Sequence, residues 1–152
     1  MDASALITDP HPMLHQPLGT VQEFTADLTE VAREMRAVMR TLGGVGLAAP
    51  QVGLPLRMFV LEAHGVSLTA LNPVVLTTSG YSMVPEGCLS LPGVRCMAER
   101  PSLVSVSWND LEGRIHSAEF TGLLAQIWCH EVDHLDGVLM LDRCDPASVR
   151  TV

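Results

Sequence analysis

Leu28, Val31, Ala32, Met35, Val38, Met39 and Leu42 fall three or four residues apart, with Glu30, Arg33, Glu34 and Arg40 on the opposite side. That spacing predicts an amphipathic helix over 24–42, stopped by Gly43 and Gly44. Before it, PHPMLHQP (10–17) is broken by prolines and reads as an extended entry segment with His11 and His15 at the surface. After it, the period changes. RMFVLEA (57–63) and SLTALNPVVLT (67–77) read as short strands around a turn at His64-Gly65. SLVSVSW (102–108) and RIHSAEF (114–120) alternate and are joined by NDLEG, a hairpin signal. Between the two pairs, MVPEGCLSLPGVRC (83–96) carries prolines that break any regular central strand, so an irregular or edge segment is expected. Thr121 then caps a helix from Gly122 to about Leu135, with Gly137 as its stop and a short tail behind. One helix, a run of strands and one late helix make an α+β fold. A mostly antiparallel sheet should wrap that late helix within one domain, 1–152.

Composition narrows the partners. The 152 residues are enough to bury roughly 68–70% of the unfolded surface in one core. The net charge is −8, and the nine basic residues are all arginine. An acidic chain is a poor match for phosphate backbones, so no nucleic acid is expected. No apolar run approaches the ~20 residues of a membrane span, and the start lacks a basic-then-apolar leader. That favours the cytoplasm or a comparable reducing compartment (a host's cytoplasm for a viral chain), and a monomer is the working expectation. The four cysteines, Cys88, Cys96, Cys129 and Cys144, show no C-x-x-C pair. Without an export signal, a disulfide framework is not expected, and most should be small buried hydrophobes.

The late helix carries the chemistry. In CHEVDHLDG (129–137), His130 and His134 are four apart and share one face, with Glu131 beside the first. Leu123, Leu124 and Ile127 make that face look inward. Buried imidazoles need partners for their polar nitrogens, and a metal ion supplies one. A carboxylate next to such a pair is placed to work on a water at the ion. Two ligands do not hold a catalytic metal, and no His or Glu follows His134. Downstream, only Asp136, Asp142, Asp145 and Cys144 remain. Upstream, Cys88 sits in EGCLS (86–90), where it is either a thiolate ligand or a buried structural thiol.

Three strings stand in order: GVGLAAPQ (44–51), EGCLS (86–90) and HEVDH (130–134). Together they resemble the three signature motifs of the peptide deformylases, and the likeness runs from the first helix to about Asp142. That resemblance implies a hydrolase that removes formyl from N-formylmethionyl peptides and releases formate. It puts the metal on Cys88, His130 and His134, with Fe²⁺ as the usual ion and Zn²⁺, Ni²⁺ or Co²⁺ able to replace it. It makes Glu131 the acid/base, and Gln51 with the Leu89 N–H the oxyanion donors. Backbone at Val45, Gly46 and Gly87 would pair with the extended peptide, and Arg95 would touch it. Val45, Val84, Leu123 and Ile127 would line the methionine pocket. Glu86 and Arg100 resemble an ion pair bracing the cysteine segment, although both Arg95 and Arg100 read on the sequence alone as solvated charges.

The chain also departs from that pattern. Cys129 stands where glutamine is common, about 100° round the helix from His130, and is read as packing. Gln126 brings a polar group to the pocket side. Many bacterial members continue into a long basic C-terminal helix, whereas this sequence ends at Val152, so catalysis is expected without a ribosome-docking element. Two other readings stay open. One is a zinc endopeptidase with a downstream Asp ligand; the other is a protein that binds formylated N-termini without turnover.

Overall fold

The computed structural model describes residues 1–152. Two α-helices and six strands form it: α1 (Ala26–Thr41), β1 (Gly46–Ala48), β2 (Met58–Ala63), β3 (Val66–Cys88), β4 (Leu91–Asn109), β5 (Ile115–Thr121), α2 (Gly122–Leu135) and β6 (Arg150–Thr151). The strands make one antiparallel sheet in the order β1-β2-β3-β4-β5, with β6 also on β4. The α+β expectation holds, with the sheet curled round α2.

The core follows from strand alternation in β2, which is buried on both faces. Phe59 and Leu61 meet Ala125, Trp128, Val132 and Leu135 of α2, along with Val104 and Val106 of β4. Met58 and Val60 point the other way and meet Leu28, Met35, Val38 and Met39 of α1. Successive side chains on a strand face opposite sides, so one short strand serves both helices. Trp128 packs edge-on to Phe59 with ring centroids 5.0 Å apart. Unlike α1, α2 is buried nearly all round, with ten of its residues buried. That is why its hydrophobic periodicity is weaker than that of α1.

Several expectations need correction. Of the two alternatives for residues 83–96, irregular or edge, the irregular one fails: they are the closed end of a long β3–β4 hairpin that turns at Leu89-Ser90, and its β3 arm is an edge. The prolines are tolerated because β3 beyond Leu71 pairs only with β4, so Pro73 and Pro85 leave no second ladder broken. Thr121 holds the N-cap position of α2, but its side chain makes no capping hydrogen bond. Residues 12–15 form a short 3₁₀ turn, capped by His11, instead of an extended segment. Cys96 and Cys144 are joined as a disulfide with Cα atoms 5.9 Å apart. Sequence spacing gave no sign of it, since the two are brought together by the tail returning along β4 at Ala98. Of the four cysteines, only Cys88 and Cys129 are free.

Candidate metal centre

The β3–β4 hairpin delivers Cys88 to α2. Its Sγ lies 3.4 Å from His134 Nε2. One ligand atom each from Cys88, His130 and His134 fall within 4.8 Å of one another, and all three residues are buried. The helix supplies both imidazoles from consecutive turns, and the hairpin end supplies the sulfur. None of the other candidate ligands joins them. Asp136 pairs with Arg57 at 2.8 Å, Asp142 accepts from the Leu139 N–H, Asp145 caps a 3₁₀ turn, and Cys144 is in the disulfide.

Surrounding groups fix how these ligands face. His130 Nδ1 donates to Glu86 Oε2 at 3.0 Å, because a carboxylate can only accept. That leaves Nε2 as the coordinating atom. Glu86 is held by a two-pronged Arg100 guanidinium at 2.9 and 2.7 Å. Arg100 also reaches Asp133 at 2.7 Å, and Arg143 closes the network from outside at 3.1 Å. Burial pushes the Glu86 carboxyl up, but His130 and Arg100 outweigh it and hold it at about 2. Arg100 is 3% exposed, so reading it as a solvated charge fails. The long-range register of β3 against β4 puts it inside. Burial, together with the nearby His130, pushes His134 well below the usual imidazole range, while hydrogen bonds to Cys88 and Glu86 outweigh burial and hold His130 well above it.

Glu131 lies beside the cluster, and burial raises its carboxyl to about 7. Its Oε1 and His134 Nδ1 are buried without a hydrogen-bond partner. Gln51 is 1% exposed and rigidly placed. Its Oε1 accepts from Ala48 N–H at 2.9 Å, and its Nε2 donates to Ser90 Oγ at 3.0 Å. Ser90 Oγ in turn donates to the Ile7 carbonyl at 2.7 Å, so the serine is a fixed acceptor for Gln51. The second amide hydrogen of Gln51 is directed to Cys88 Sγ, 3.9 Å away. Ser90 and Asp133 escaped the sequence reading. Ser90 ends the EGCLS string, yet nothing in a string shows that its hydroxyl meets Gln51.

A cleft of about 520 Å³ opens onto Cys88, His130 and Glu131. Val45, Gly46, Gly87, Leu89, Arg95, Leu123 and Ile127 line it, as does Gln126. Val45 and Leu123 are exposed at its mouth. Val84 does not line it. It is four residues back along extended β3, roughly 13 Å from Cys88. Gly46 is in the cleft wall because nothing larger fits. A Cβ there would lie 2.6 Å from Glu131 Oε2. Gly87 is overlain by Arg95, whose guanidinium would be 2.5 Å from an added Cβ. Cys129 packs in the core between α2 and the sheet, and burial raises its thiol to about 11.

The polypeptide deformylase family model matches residues 3–150. The chain belongs to this family. A peptide deformylase of Dictyoglomus thermophilum is 39% identical over 140 residues, which is 92% of each chain. The crystal structure of the peptide deformylase of Thermotoga maritima superposes with a TM-score of 0.90 at 33% identity, covering 93% of this chain and 97% of that one. That of Synechococcus elongatus, in complex with actinonin, gives 0.89 at 39% identity, covering 92% and 78%. Like its family, this deformylase is a metal-dependent hydrolase that removes the formyl group from nascent polypeptides. No helix in it is long and apolar enough to cross a membrane.

Proposed function

We propose that Cys88, His130 and His134 hold the catalytic ion, that Fe²⁺ is its native form, and that Glu131, Gln51 and the Leu89 N–H carry out deformylation of N-formylmethionyl peptides in the cytoplasm. The convergence of one sulfur and two imidazoles, with His130 already turned by Glu86, supports this reading. A thiolate with two neutral imidazoles suits Fe²⁺, Zn²⁺, Ni²⁺ and Co²⁺ alike. When bound, the ion polarises the formyl carbonyl and makes water a stronger nucleophile.

The rest is done by the protein. Glu131 removes the proton from the attacking water and delivers it to the departing amine nitrogen. Burial raises this carboxyl above the usual range, to about 7, which favours its taking up a proton and handing it on. The Gln51 N–H and the Leu89 N–H stabilise the oxygen that becomes negative, and losing one such donor costs roughly 3–4 kcal/mol. Ala48 and Ser90 hold the Gln51 amide in place, so the hydrogen that turns to this oxygen is the one now directed, over a long 3.9 Å, to Cys88 Sγ. The backbone of Val45, Gly46 and Gly87 offers edges to an extended peptide, with Arg95 above it, and Val45, Leu123 and Ile127 receive the first side chain.

The test combines metal analysis and formate release from formyl-Met-Ala-Ser, using protein prepared without oxygen. One equivalent of divalent ion and steady turnover are expected, and Cys88→Ala should lose both. Retention of the metal by Cys88→Ala would return the third ligand to a downstream Asp. Peptide binding without formate would favour the non-catalytic reading. A second expected result concerns Gly46→Ala. The added methyl must displace Glu131, and misplacing a catalytic group by about 1 Å costs on the order of 10²-fold. Formate release should fall by that factor while metal content stays at one equivalent. A fall below threefold would show that Glu131 has room to move.

A further inference from the structure

Gln126 is one turn before His130 on α2, so both side chains share a face. It lines the cleft next to Ile127, Leu123 and Val45. Its Nε2 donates to the Pro85 carbonyl at 3.0 Å and to Glu86 Oε1 at 3.2 Å. Both partners can only accept, because Glu86 is an ionised carboxylate paired with Arg100. The amide therefore has one orientation, with its nitrogen towards β3. Both amide hydrogens are used. The carbonyl oxygen, on the other side of the planar amide, has no protein partner. Beside Val45, Leu123 and Ile127, Gln126 is thus a polar side chain of the cleft lining whose amide oxygen is still open to a donor.

A methionine side chain cannot satisfy an acceptor, since its thioether has no donor. Glutamine has the same reach and ends in an NH₂ group. We propose that Gln126 is a specificity-determining residue that lets this deformylase accept formylated peptides whose first side chain is of methionine length and ends in an N–H donor. Leucine or methionine at 126 would leave such a donor unsatisfied on binding, and sites differ strongly in tolerance of unpaired polar groups. This inference rests on the cleft being the pocket for the first side chain, as proposed above.

The test compares kcat/KM for formyl-Met-Ala-Ser, formyl-norleucyl-Ala-Ser and formyl-Gln-Ala-Ser in the metal-loaded wild type and in Gln126→Leu. In the wild type, the methionyl-to-glutaminyl ratio should be below about tenfold. In Gln126→Leu it should rise at least tenfold, with the glutaminyl peptide losing while the methionyl and norleucyl peptides gain. Gln126→Met, which preserves chain length, serves if the leucine variant does not fold. A binding readout separates recognition from chemistry: in Glu131→Gln, the glutaminyl peptide should bind within tenfold of the methionyl one. A wild-type ratio well above tenfold, a smaller rise in the variant, or an equal fall for all three peptides would overturn the proposal. The last would mean that Gln126 only braces Glu86. No turnover of formyl-Met-Ala-Ser at all would instead overturn the functional reading on which it rests.

Discussion

Glu131→Gln is expected to lower kcat for formate release by about 10²–10⁴-fold, the range that general acid–base catalysis contributes. The substitution is nearly isosteric, so metal content and peptide binding should survive. The size of the effect follows from the carboxyl's surroundings. Burial raises it to about 7, and Oε1 has no partner. A group in that state exchanges its proton readily near neutral pH, whereas an amide cannot take the proton at all. Its position is enforced from the opposite wall by Gly46, whose missing side chain makes the space. Thermal stability gives an independent check. A buried carboxyl is costly to ionise, so the neutral variant should melt no lower than the wild type. Measured as formate produced per bound metal, activity within tenfold of wild type would remove Glu131 from the reaction. A large fall accompanied by loss of metal would instead make it a structural support.

The parts of the site that were legible in the sequence are those carried by short strings. HEVDH encodes its own geometry, because the helix fixes the distance between residues four apart. GVGLAAPQ and EGCLS show which groups are available but not where they go. The meeting of Cys88 with the histidines depends on the register of a long hairpin, and that hairpin was hidden by Pro85 and Pro92. Proline excludes a strand with partners on both sides; it does not exclude one with a single partner. Arg100 looked like a surface charge for a related reason. It is opposite Ser82 in register, yet its guanidinium reaches along the strand to Glu86, a diagonal contact that no local pattern encodes. Ser90, Asp133 and the Cys96–Cys144 disulfide belong to the same class. Each is a pairing between distant segments, so residue type alone carries no trace of it. Val84 is apolar and close to Cys88 in sequence, but an extended strand moves residues apart quickly, and the cleft lining does not include it.

Arg100→Met is expected to be the most destabilising single change outside the hydrophobic core. Arg100 is 3% exposed and makes three hydrogen bonds, two to Glu86 and one to Asp133. Methionine fills similar space but leaves two carboxylates in a buried setting with one partner fewer. Removing one member of a buried ion pair costs about 3–5 kcal/mol, far more than the pair itself contributes over a hydrophobic substitute. For a chain of this size, each kcal/mol lowers Tm by roughly 2–4 °C, so a fall of about 6–20 °C is expected by calorimetry. Arg143 and His130 still hold part of the negative charge, which favours the lower half of that range. Arg100→Lys should recover little, because a single ammonium cannot reproduce the fork that grips both Glu86 oxygens. The same substitution has a second consequence at the site. Glu86 turns His130 by accepting from Nδ1, and it can do so only while its own position is fixed. With Arg100 gone, metal affinity should fall about 10–100-fold, the usual cost of losing a carboxylate that orients a ligating histidine. A variant that melts within 2 °C of wild type would mean the network relaxes onto Arg143 and water, and would reduce Arg100 to a bystander. A variant that melts low yet binds metal normally would separate the two effects and leave His130 oriented by the helix alone.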